Sequence, residues 1–85
     1  MHEVLVTAQA RTEFLSLPVG IQRRVEAVFE RLKSWPEVSG AKPLKHELKG
    51  AFRVRTGDWR VLFRVDEHLN RVIVFRLAHR REVYE

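Results

Sequence analysis

Residues 52–84 read FRVRTGDWRVLFRVDEHLNRVIVFRLAHRREVY, and this stretch decides the fold. Phe52 and Val54 alternate with Arg53 and Arg55. Beyond a Thr56-Gly57-Asp58 turn, Trp59, Val61, Phe63 and Val65 alternate with Arg60 and Arg64. A period of two sends successive side chains to opposite faces of a strand, so the pattern predicts an antiparallel hairpin with one apolar and one arginine-bearing face. Only Asp58, in the turn, offsets those arginines locally. A second turn over Asp66 to Asn70 leads to Val72–Ala78, which is apolar on nearly both faces and therefore reads as an interior strand. The tail then gathers His79, Arg80, Arg81 and Tyr84.

Upstream, Val4 and Val6 alternate with Glu3 and Leu5, which suits a short first strand. Ala10, Phe14 and Leu17 fall on one helical stripe that Pro18 closes. Ile21, Val25, Val28, Phe29 and Leu32 then define a second amphipathic helix over residues 19–33. Pro36, Gly40 and Pro43 break the connection that follows. The expected fold class is α+β. Two N-terminal helices pack on one face of a twisted, mainly antiparallel four-stranded sheet in the order β-α-α-β-β-β, with the first strand beside the last and the arginine face left open.

With 85 residues, the chain is read as a single domain, 1–85, whose folding buries only about 60% of the unfolded surface. No apolar run approaches the roughly 18 residues that span a bilayer, and MHEVLVTAQA lacks the basic-then-apolar layout of a secretion signal. A cytoplasmic location without membrane contact is expected. There is no cysteine, which excludes disulfides and thiolate chemistry. The net charge of +5 is uneven: residues 1–43 carry six Lys/Arg against five acids, and residues 44–85 carry ten against six. A basic surplus of this kind favours a polyanionic partner.

RVRTGDWRVLFRV followed by VFRLAHRREVY resembles the RelE/ParE superfamily of bacterial type II toxin-antitoxin toxins. Those proteins share a hydrophobic-Arg-hydrophobic-Arg strand, a Gly-Asp-aromatic-Arg turn and strand, and a closing His-Arg-Arg-x-x-Tyr. The resemblance covers essentially the whole chain. It implies a cognate antitoxin partner and, as in many members, metal-independent cleavage of messenger RNA in the ribosomal A site. Other members poison DNA gyrase and cut nothing. That non-enzymatic, ParE-like activity is the alternative reading, because a fold does not determine chemistry.

Metal-free RNA cleavage needs a base for the 2'-hydroxyl, cations for the phosphorane-like transition state and an acid for the departing oxygen. His2, His46, His68 and His79 are scattered without ligand-like spacing, so neither a metal nor another cofactor is expected. Arg60 is the candidate phosphate clamp, since its planar guanidinium grips two oxygens and keeps its charge; the resemblance assigns the matching arginine that role. The resemblance also places a catalytic arginine at Arg80 or Arg81, with the choice open, and proton-transfer groups at His79 and Tyr84, with base and acid unassigned. Arg53, Arg55, Lys49 and Arg64 are candidate contacts to RNA. Glu47 is a weaker candidate base, while Trp35, Phe52 and Trp59 read as core and Asp58 as a turn residue. The chain departs from the best-studied nucleases in carrying arginines rather than lysines at 53 and 55. It also stops one residue after Tyr84, so no C-terminal helix is expected.

Overall fold

A computed structural model describes residues 1–82. Strand β1 (Glu3–Val6) is followed by helices α1 (Ala8–Leu15) and α2 (Val19–Leu32). Strand β2 (Lys42–Pro43), a short 3-10 turn (His46–Leu48) and strands β3 (Phe52–Thr56), β4 (Trp59–Asp66) and β5 (Arg71–His79) complete the order. Thr7 caps α1, its hydroxyl oxygen accepting the Ala10 N–H at 3.2 Å. Pro18 precedes α2, where its missing N–H costs no helical bond.

The sheet runs β1-β5-β4-β3-β2. As the doubly apolar pattern of β5 implies, that strand lies inside, parallel to β1 and antiparallel to β4. Gly57, with φ +59°, makes the sharp turn between β3 and β4 that side chains with a Cβ adopt poorly. The sheet has five strands where the alternating pattern predicts four. The extra one, β2, pairs only Lys42 with Arg53 and Pro43 with Phe52, too short a segment to show a period.

The helices cover one face. Val25, Val28 and Leu32 of α2 and Ala10 of α1 pack with Val54, Val61, Phe63, Val72, Val74 and Leu77 of the sheet. Trp35, from the connection after α2, closes this core edge-on against Phe63 at 5.4 Å and beside Phe52 at 4.8 Å. The opposite face is not fully open, contrary to the expectation from sequence. Residues 44–51 fold back across it, bury Leu44 and Ala51 against Leu62 and Ala78, and lay Leu48 and Phe75 beside them. One irregularity shifts the strand phase: Leu62 faces Arg76 while Phe63 faces Val74, so Phe75 is the extra residue of a bulge.

Candidate functional site

Directly opposed residues in an antiparallel pair share a face, so the register places each candidate. Arg55 lies opposite Arg60, Arg60 opposite Ala78, and Arg53 between Leu62 and Lys42. Leu62 and Ala78 belong to the cluster on the side away from the helices. Arg53, Arg55, Arg60 and Lys42 therefore share that face, with two cation-cation rows side by side. No carboxylate among the described residues pairs with Lys42, Arg53 or Arg55. Like charges directly opposed destabilise a sheet by about 0.2–1 kcal/mol per pair, so packing does not account for this arrangement.

Arg64 is on the same face, its guanidinium carbon 5.2 Å from the centre of the Phe75 ring, a cation-π contact that anchors it beside the covering segment. Lys49 is exposed at the end of the 3-10 turn in that segment, near Glu47, which is also exposed.

Arg80 is brought to the hairpin end of this face. Its N–H donates to the Asp58 carbonyl at 2.7 Å and its Nε lies 3.7 Å from Asp58 Oδ1. The turn residue Asp58 thus docks the tail beside the strand that carries Arg60. Arg81 is exposed. Tyr84 lies outside the described residues.

His79 is placed differently. It faces Trp59 across the strands, with ring centres 5.1 Å apart in an edge-on contact, and Trp59 packs against the helix-covered core. Its imidazole and the Arg60 guanidinium therefore leave neighbouring rows on opposite sides of the sheet. His79 instead organises the tail. Its Nδ1 accepts the Arg81 N–H at 3.2 Å, its N–H donates to Glu82 Oε1 at 3.1 Å, and its carbonyl accepts the Glu82 N–H at 2.9 Å.

Sequence reasoning passed over Glu13, Arg76 and Glu82. Arg76 Nε donates to Glu13 Oε2 at 2.9 Å, and its terminal nitrogen meets Glu82 Oε2. Glu13 Oε1 also accepts the Leu77 N–H at 2.8 Å. A charge set inside the apolar run VIVFRLA was the signal available for Arg76, since such a residue needs a partner to be accommodated. Among the described residues, no group of three or more His, Cys, Asp or Glu is placed to hold a metal ion. No helix among them is long and apolar enough to cross a membrane.

The chain as a whole has counterparts among known proteins. The family described as ParE toxin of type II toxin-antitoxin system, parDE, matches residues 4–84. Toxin RelG of Mycobacterium tuberculosis is 37% identical over 84 residues, covering 98% of this chain and 95% of that protein. Toxin RelE of the same organism is 36% identical, covering 98% of this chain and 86% of its own. Among solved structures, the toxin-antitoxin complex RelBE2 of M. tuberculosis contains a chain that superposes with a TM-score of 0.81 at 32% identity, covering 92% of this chain and 96% of that one.

Proposed function

The chain belongs to the ParE toxin family of type II toxin-antitoxin systems, within the RelE/ParE superfamily, and from that premise we propose that it is an endoribonuclease that cleaves messenger RNA on the ribosome. The observation that carries the reading is the cationic face. Lys42 opposes Arg53, Arg55 opposes Arg60, and the tail is docked so that Arg80 reaches the end of the same surface. Cations gathered in adjacent rows on one face suit a phosphodiester backbone.

In this reading Arg53, Arg55, Arg64 and Lys49 hold the RNA backbone and contact the ribosome. Arg60 and Arg80 flank the scissile phosphate and stabilise the charge that grows on its oxygens during attack by the 2'-hydroxyl. They supply that charge from the chain itself, which supports cleavage without a metal ion. Tyr84 is the proposed proton-transfer group. The position of His79 against Trp59 favours a role in shaping the tail over direct proton transfer. Arg81 is the alternative to Arg80 as the arginine at the phosphate.

A cognate antitoxin is the proposed partner that restrains the toxin. A basic face of this sort suits an acidic segment that folds on binding. Expression in bacterial cells followed by mapping of messenger RNA 5' ends tests the proposal. Growth arrest should coincide with new ends at codons occupying the ribosomal A site. Arrest with DNA breaks and intact messenger RNA overturns it in favour of gyrase poisoning.

A further inference from the structure

We infer that Glu13, Arg76 and Glu82 form a clasp that positions Arg80, which makes Glu13, on the helical layer, a positioning residue for phosphodiester cleavage. This rests on the reading of Arg80 as a group that meets the scissile phosphate.

The geometry begins with an edge. β1 ends at Val6, paired with Val74, so the last residues of β5 have no strand on that side. Their outward N–H groups would be left without strand partners, which costs most at the part-buried Leu77 amide. Two carboxylates accept them instead: Glu13 takes the Leu77 N–H at 2.8 Å and Glu82 takes the His79 N–H at 3.1 Å. Arg76 then joins the second oxygen of each. All four carboxylate oxygens are engaged, and the guanidinium fork spans from α1 to the tail.

The side chain of Arg80 cannot fix its own position. It is 64% exposed, and its only ion pair among the described residues, to Asp58, spans 3.7 Å, beyond hydrogen-bonding range. Its place is therefore set by the backbone of residues 79–82, which is pinned on one side where Arg80 N–H meets the Asp58 carbonyl and on the other by Glu82 in the clasp. Arg76 and Glu13 are the better shielded members, with side chains 31% and 24% exposed, so they carry the tether into the fold.

The test is a double-mutant cycle on ribosome-bound messenger RNA under single-turnover conditions, using wild type, Glu13→Gln, Arg80→Gln and the double variant. The Glu13→Gln change keeps an acceptor for the Leu77 N–H and loses the charge that holds Arg76. It should lower the cleavage constant about 10-fold to 100-fold, as a displaced catalytic group does, with half-saturating ribosome concentration unchanged within about twofold. In the Arg80→Gln background the same change should alter cleavage less than about twofold. The backbone 15N heteronuclear NOE of Arg80 should also fall in Glu13→Gln.

Equal losses in both backgrounds, or an unchanged Arg80 NOE, overturn the clasp. Arg80→Gln as active as wild type overturns the catalytic reading of Arg80 and this inference with it. The NOE then shows whether the tether itself survives the loss of that reading, because it reports on the tether without reference to cleavage. Glu82→Gln, which leaves the Leu77 N–H untouched, should reproduce these effects if Glu13→Gln does not fold.

Discussion

The two faces of this sheet are built from alternating residues of the same strands and differ in what they bear. Beneath the helices, Val61, Phe63, Val72 and Val74 are wholly excluded from solvent and two aromatic rings close over Phe63. On the reverse, a cluster of four buried residues, two from the folded-back segment and two from the sheet, shares the surface with Lys42, Arg53, Arg55, Arg60 and Arg64. The first face supplies most of the packing, which lets the second tolerate like charges in adjacent rows. In a small domain this division leaves room for the proposed polyanion site without a separate module.

Phe63→Ala tests the division most severely. It removes a ring in contact with Trp35 and Phe52 and should cost about 3–5 kcal/mol in denaturant unfolding, close to the whole stability of a domain this small. Leu62→Ala, the neighbouring residue on the reverse face, should cost about 2 kcal/mol in the same experiment, because the thinner cluster around it can collapse. Equal costs for the two would dissolve the distinction. His79→Gln sharpens it in another way. With the imidazole set against Trp59, the cleavage rate should fall by less than about 10-fold, below the range for loss of a general base. A loss of about 1,000-fold would move His79 to the site. The smallest effect belongs to Arg55→Gln. Relieving the pair with Arg60 should leave stability unchanged or raise it by about 0.5 kcal/mol, while the slope of log affinity for single-stranded RNA against log salt falls by about 0.7.

Much of this architecture was legible in the chain. Alternation in β3 and β4 gave both the hairpin and the arginine face, and the apolar character of β5 gave its interior position. That same character concealed the orientation of His79. A strand apolar on both faces has no alternating signal, and the bulge at Phe75 shifts its phase before the tail begins. β2 escaped notice because two residues have no period. The cover over the reverse face escaped notice because Leu44, Leu48 and Ala51 lie in a segment whose helical turn is too short to show a stripe. Glu13 escaped because its partners, Arg76 and Leu77, are more than sixty residues away in sequence.

Arg60 joins the charged face to the proposed chemistry, and one comparison tests that link directly: cleavage of messenger RNA on purified ribosomes by wild type and by Arg60→Ala. The account predicts A-site cutting by wild type and a loss of about 10²–10³-fold in the variant, the range for removing one preorganised charge donor, with unfolding free energy changed by no more than about 1 kcal/mol. Cutting by Arg60→Ala at the wild-type rate would contradict it.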